Sequence, residues 1–318
     1  MKKASKCFDA FFKCAILVLE IIMAYRSGFV AVVGRPNVGK SSLVNALVGE
    51  KVSITGPKAQ TTRNKIYGIK SGVDFQIVYV DTPGTIKPST LLGEYMSSVI
   101  SSASKDVDAL LIVLDATRLN KDDEALLKKY ENSKFPVFVA INKLDAISLE
   151  KLYPMLAKFN AFQYVKNFVS VSAKTGRNVN ILEREIVNVL PEGPALFPTD
   201  IYTDKSMKFI VAETIREKAL LFLQEEIPHG IAVEIVKYEE SKHMTRVFAD
   251  IICEKANHKQ IIIGSGGETL KKIGVSARRE LEKISGEKIY LELFVKVKPG
   301  WKNSEYDLKS LGYDKKDV

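Results

Sequence analysis

Over its first 190 residues the chain repeats one pattern: a short apolar run, a polar loop, then a stretch with helical spacing. Phe29-Val30-Ala31-Val32-Val33 precedes a helical pattern at 42–48, and residues 66–70 and 74–80 read as a hairpin pair of strands. Residues 109–115 and 135–141 are almost wholly apolar, as strands covered on both faces must be. Asp122-Asp123-Glu124 opens a helix with acids on its first turn, a further strand is expected at 167–171, and a closing helix near 180–190. Alternation of this kind predicts an α/β domain with a doubly wound, mainly parallel sheet and a ligand at its carboxyl edge. Pro191-Glu192-Gly193-Pro194 and Pro198 mark a stiff linker. Beyond it the pattern changes to helix (204–224), strand (231–237), strand (245–254), helix, helix and strand (288–297).

The polar words at the ends of the apolar runs carry the chemistry. Gly34-Arg35-Pro36-Asn37-Val38-Gly39-Lys40-Ser41 fits G-x-x-x-x-G-K-[ST], with Ser42 continuing into the helix. Glycines there let consecutive N–H groups surround a phosphate, the helix start adds positive potential, Lys40 reaches the β- and γ-phosphates and the Ser41 hydroxyl sits on Mg²⁺. About twenty residues on, Thr61 and Thr62 stand where a phosphate-sensing loop offers a hydroxyl to the metal and an N–H to the γ-phosphate; Thr62 is preferred, Thr61 stays open. Asp81-Thr82-Pro83-Gly84 ends the next strand: Asp81 can hold Mg²⁺, and Gly84 can bring its N–H to the γ-phosphate and release it after hydrolysis. Asn142-Lys143-Leu144-Asp145 ends another. Asp145 can accept from guanine N1–H and the N2 amine, a donor pair adenine lacks, with Asn142 and Lys143 bracing the loop and Ser172-Ala173-Lys174 meeting O6. Lys40, Thr62 and Gly84 are therefore the residues expected at the reacting phosphate.

Composition narrows this little. The formal charge of +9 hints at a polyanionic partner. Residues 25–190 hold 22 Lys and Arg against 15 Asp and Glu, and residues 201–301 hold 17 against 15, so charge does not single out the second half. Cys7, Cys14 and Cys253 are scattered without metal or disulfide spacing. Residues 1–22 are basic and then apolar, too short for a membrane span and interrupted by Glu20. Met23-Ala24-Tyr25-Arg26 makes a natural start, which favours reading 1–22 as foreign to the native protein over a genuine extension.

In the second half, Ile263-Gly264-Ser265-Gly266-Gly267 places a G-x-x-G turn between two helices, and the element order describes a KH-type RNA module. The turn admits a nucleic-acid backbone beside an apolar groove; Lys271, Lys272, Arg278 and Arg279 are candidate phosphate contacts.

From about Met23 onward the chain resembles the Era family of GTPases. The words that carry this are Gly34 through Ser42, Lys58-Ala59-Gln60-Thr61-Thr62-Arg63, Tyr79 through Gly84, Ile215-Arg216-Glu217-Lys218, and Leu291 through Lys298 with Gly300-Trp301. The resemblance implies an α/β P-loop GTPase domain (23–190), a linker (191–203), an α+β type II KH domain (204–301) and a C-terminal tail (302–318). It further implies a ribosome-assembly GTPase that binds the 3′ end of 16S rRNA, assists the 30S subunit, and is a monomeric cytoplasmic protein with a peripheral fraction at the inner face of the cell membrane. The chain departs from the family in its leader, in the uncharged Ser265-Gly266 pair, and at Thr85, which is too short to orient water as a glutamine does. Slow intrinsic turnover is expected. The alternative is a membrane-anchored GTP-binding adaptor with little hydrolysis, supported mainly by residues 1–22.

Overall fold

The computed structural model describes residues 25–317 apart from 57, 59, 86, 87, 160, 225, 226 and 243; the expectation for 1–22 lies outside them. The apolar runs form a six-stranded sheet from β1 (Arg26–Val33), β2 (Ile66–Ser71), β3 (Phe75–Asp81), β4 (Ala109–Asp115), β5 (Val137–Asn142) and β6 (Val165–Ser170), in the order β2-β3-β1-β4-β5-β6. Only β2 is antiparallel, paired to β3 from Ile66↔Asp81 to Ser71↔Gln76; the other neighbours are parallel. Every residue of β4 is buried, because helices cover both faces. On one face lie α1 (Lys40–Val48) and α5 (Val179–Val187), packing Leu43, Leu47, Leu182 and Ile186 against Val30, Leu111 and Phe138. On the other lie α3 (Lys121–Lys129) and α4 (Leu149–Phe159), with Leu127, Leu152 and Phe159. Chain order reverses on either side of β1, and that switch point opens the crevice into which the phosphate-loop sequence falls. A further helix, α2 (Leu91–Ala103), follows β3 and is capped by Thr90.

The segment read as a linker is stitched to this sheet. Gly193 N donates to the Tyr25 carbonyl at 2.9 Å, and Ile69 N donates to that of Tyr202 at 2.8 Å. Gln76, fully buried, accepts from Leu196 N and Phe197 N at 2.7 and 2.8 Å and returns a bond to the Phe197 carbonyl.

The second unit contains α6 (Met207–Phe222), β7 (Ala232–Glu239), β8 (Thr245–Cys253), α7 (Ala256–Ile263), α8 (Glu268–Ser285) and β9 (Ile289–Val297). The strand order is β7-β8-β9, with β8 antiparallel to β7 and parallel to β9, over a core that includes Ile215, Ile251, Ile273 and Leu281. This is the α+β arrangement expected of a type II KH domain. The stretch expected as a tail folds back on the first unit. Trp301, Leu308 of α9 (Glu305–Ser310) and Tyr313 are buried against Leu92, Tyr95 and Met96 of α2, and the Trp301 indole N–H donates to the Gly230 carbonyl at 3.1 Å. Trp301→Ala is therefore expected to cost about 3–5 kcal/mol of unfolding free energy. A urea titration that shows a loss below about 1 kcal/mol would contradict this packing.

Candidate functional site

The loop from Gly34 to Ser41 joins β1 to α1, with Asn37 and Gly39 in left-handed conformations (φ 64° and 93°). At Gly39 a Cβ would sit 2.4 Å from the Asn142 amide nitrogen, so both the backbone angle and the close approach demand glycine. Arg35 ties the loop to the start of α3: its guanidinium makes a two-pronged pair with Asp123 (2.7 Å each) and donates to the Arg118 carbonyl at 2.8 Å. Lys40 is nearly buried. Its ammonium donates to the Gly34 and Arg35 carbonyls at 3.1 Å, and burial pulls its pKa down to about 8 against the opposing charge of Asp81. A cation held in a ring of carbonyls and short of a full counter-charge is a ready receptor for an anion.

Ser41 Oγ lies 2.8 Å from Thr62 Oγ1, whereas the Thr61 hydroxyl turns away to donate to the Lys58 carbonyl at 2.6 Å. Geometry thus separates the two threonines that the sequence left open. Both carboxylate oxygens of Asp81 are buried with no hydrogen-bond partner among the described residues. Burial pushes this carboxyl above its usual range, opposed by the neighbouring Ser41 hydroxyl and Lys40 ammonium. An orphaned buried carboxylate beside two hydroxyls is a hard-oxygen donor set that fits Mg²⁺. Thr82 Oγ1 donates to the Val32 carbonyl at 2.9 Å and fixes the turn that follows; a Cβ on Gly84 would meet Pro36 N and Cα at 2.9 Å, so this turn rests directly on the phosphate loop.

At the other end of the crevice Asn142 bridges three segments. Its amide donates to the Val38 carbonyl at 3.0 Å, and its oxygen accepts from Ala173 N at 3.0 Å. Lys143, in the left-handed region, donates to the Asn37 carbonyl at 2.9 Å and pairs with Asp115 at 2.6 Å. Asp145 accepts from the buried Ser172 hydroxyl at 2.6 Å, which holds its pKa below the usual range, and is otherwise open to solvent. Lys174 is exposed. Asp115 was not singled out from sequence; the signal was available, since it too is an acid ending a buried strand.

In the second unit Gly264, Gly266 and Gly267 all have positive φ, turning the chain sharply between α7 and α8; Ile263 ends α7, half-buried against the core, and Ser265 is exposed. A groove of about 390 Å³ runs beside the turn, between α8 and β9, walled by Leu270, Gly274, Leu291 and Leu293, with Lys271 and Arg278 on its rim. Lys272 and Arg279 line a cleft on the other side of α8, which Lys271 also borders and where Lys272 pairs with Glu268 at 3.5 Å. The apolar walls were not identified by residue from sequence.

Comparison with known proteins places these sites in context. Residues 29–143 match the family model described as 50S ribosome-binding GTPase, and residues 226–302 match that of the KH domain. GTPase Era of Alkaliphilus metalliredigens is 45% identical over 295 residues, covering 92% of this chain and all of the relative. GTPase Era of Caldanaerobacter subterraneus is 46% identical over 92% of this chain and 99% of its own. Among solved structures, a single-residue variant of Aquifex aeolicus Era bound to GDP·AlF4⁻ superposes with a TM-score of 0.87 at 38% identity, over 91% of this chain and 99% of the other. Era in complex with MgGDPNP and nucleotides 1506–1542 of 16S ribosomal RNA gives the same score and coverage at 39% identity.

Proposed function

Because the chain belongs to the Era family of GTPases, we propose that it converts GTP and water to GDP and phosphate, and that it binds the 3′ end of 16S rRNA to assist assembly of the small ribosomal subunit. The observation that carries the nucleotide half is the Asn142 bridge: one side chain ties the phosphate loop at Val38 to the Ser172-Ala173 turn, uniting phosphate and base ends in one site. In this reading residues 34–42 and 81–84 cradle the phosphates, and the Lys40 ammonium leaves its carbonyl ring for the β- and γ-oxygens. Ser41, Thr62 and Asp81 hold Mg²⁺, which when bound supplies positive charge at the phosphates; the orphaned Asp81 carboxylate supports this set. Thr61 stands outside this set, its hydroxyl donating to the Lys58 carbonyl. Asp145 reads N1–H and the N2 amine of guanine, Lys143 covers the base from its Asp115 and Asn37 anchors, and Ser172, Ala173 and Lys174 surround O6.

Thr85 offers no side-chain amide to the attacking water, so turnover without a partner is slow, on the order of 10⁻³ to 10⁻² s⁻¹. Steady-state phosphate release checks this; a rate above about 1 s⁻¹ for the protein alone would contradict it.

The RNA half rests on the glycine turn with its apolar groove, where Gly264, Ser265, Gly266 and Gly267 approach the RNA backbone and Lys271 and Arg278 meet phosphates. Lys272 faces away from the groove and acts at most on a strand that continues around α8. A Cβ on Gly266 meets nothing within 4 Å, so Gly266→Asp adds charge without a clash, at the cost of a left-handed backbone (φ 56°) that aspartate tolerates better than most residues. It is expected to weaken RNA binding by about tenfold or more while leaving GDP affinity unchanged; filter binding at fixed salt reads both. Crosslinking in cells, followed by sequencing of the retained RNA with GTP and with GDP, tests the partner. The 3′ end of 16S rRNA is expected, and a pool without it removes the ribosomal reading.

We place the monomer in the cytoplasm, where GTP is available, with a peripheral fraction at the inner face of the membrane. Among the described residues no helix is long and apolar enough to cross a membrane, which leaves the anchored-adaptor alternative resting on residues 1–22.

A further inference from the structure

The motif Ile215-Arg216-Glu217-Lys218 lies in neither the nucleotide crevice nor the RNA groove, yet it grips the loop that carries Thr62. That loop is seated on the second unit. Ile54 is buried in its core, and Thr55 N donates to the Glu217 carboxylate at 2.8 Å, which Lys51 also meets at 2.6 Å. Arg216, fully buried in α6, makes a fork with Glu213 at 2.7 and 2.5 Å, and its Nη2 also donates to the carbonyl of Thr61. The intrahelical pair alone would hold the guanidinium in place; the third bond is directed at the loop.

Its target matters. The Thr61 carbonyl belongs to the peptide unit whose N–H is that of Thr62, and in a trans peptide the two point in opposite directions. Gripping that oxygen from the second unit therefore turns the Thr62 N–H the other way and sets where the Thr62 hydroxyl begins, 2.8 Å from Ser41 Oγ. We propose that Arg216, contributed by the RNA-binding unit, is a positioning residue for GTP hydrolysis: it fixes the Thr61–Thr62 peptide plane so that Thr62 faces the phosphate loop. The inference rests on the reading of Thr62 as a ligand to Mg²⁺ and the γ-phosphate region. GDP lacks the γ-phosphate, so the effect falls on GTP turnover and spares GDP binding.

The test uses the full chain, with kcat and KM for GTP, GDP affinity and RNA affinity measured for Arg216→Leu, Arg216→Lys, Thr62→Ala and the Arg216→Leu/Thr62→Ala double variant. Misplacing a reacting-site group by about 1 Å costs on the order of 10²-fold, so Arg216→Leu should lower kcat by about 10- to 100-fold. GDP and RNA affinities should stay within about twofold. Arg216→Lys, which keeps a donor for the carbonyl, should recover part of the loss. In the Thr62→Ala background Arg216→Leu should cost less than about twofold more, because the group it positions is already gone. A normal kcat in Arg216→Leu, or the same loss in both backgrounds, overturns the proposal. Should Arg216→Leu lose GDP and RNA binding together, it has unfolded and Arg216→Lys decides: a reduced kcat with intact GDP binding supports the proposal, and a wild-type kcat overturns it. A wild-type kcat in Thr62→Ala removes the metal-loop reading and this inference with it. A low kcat there beside a normal one in Arg216→Leu removes this inference alone.

Discussion

Lys40→Ala should lower kcat for GTP by about 100- to 1,000-fold, the usual cost of removing one preorganised cationic or hydrogen-bond donor from a phosphoryl-transfer or oxyanion site. The side chain is already where the chemistry needs it. Its ammonium is buried, held 3.1 Å from two loop carbonyls, and has no acid bonded to it among the described residues; an incoming phosphate supplies the missing counter-charge. The same isolation gives the variant a second signature. Burial disfavours the ammonium and so offsets the two carbonyl bonds lost with it, and the thermal midpoint of the nucleotide-free protein should move by no more than a few degrees. Loss of turnover with retained stability separates a lost catalytic charge from a damaged fold. Single-turnover phosphate release and a thermal melt of the same preparation read both; turnover within about threefold of the parent would contradict the assignment.

The second large effect is a change of base. Asp145→Asn should weaken GTP binding by about 100-fold or more, since two charge-assisted bonds to N1–H and the N2 amine are each worth about 1.5–3 kcal/mol and the replacement amide meets one donor with another. Xanthosine triphosphate carries an oxygen where guanine has the amine, so the asparagine amide suits it and its affinity should rise. Ser172 holds the carboxylate from one side at 2.6 Å and leaves the other face open for the base. Competition of both triphosphates against a fluorescent nucleotide measures the switch. An unchanged preference would remove Asp145 from base recognition.

That the candidate residues would meet in one crevice was legible in the sequence because each of their words ends or follows a buried strand, and a parallel sheet brings such ends to one edge. Asp81 and Asn142 could be placed this way without knowing a single contact. What sequence could not supply was direction. Thr61 and Thr62 are adjacent and chemically alike, and only the turn of the loop sends one hydroxyl to Lys58 and the other to Ser41. On α8, Lys271 and Arg278 lie seven residues apart on one stripe, while Lys272 and Arg279 lie on the next; helical spacing groups them but does not say which stripe borders the groove. Long-range stitching was equally hidden. Nothing local marks Gln76 as the anchor for residues 196 and 197, Arg216 as the clamp on Thr61, or residues 302–313 as part of a core shared with α2, because each depends on chain far away in sequence.

Asp145, held by the Ser172 hydroxyl with its other face open, predicts that this chain hydrolyses GTP and not ATP. Phosphate release by the purified full-length protein, supplied in parallel with GTP and with ATP in the presence of Mg²⁺, tests it most directly. Slow phosphate release from GTP, abolished by chelation of the metal, with none above background from ATP is the predicted result; equal rates from the two nucleotides, or release from neither, would contradict it.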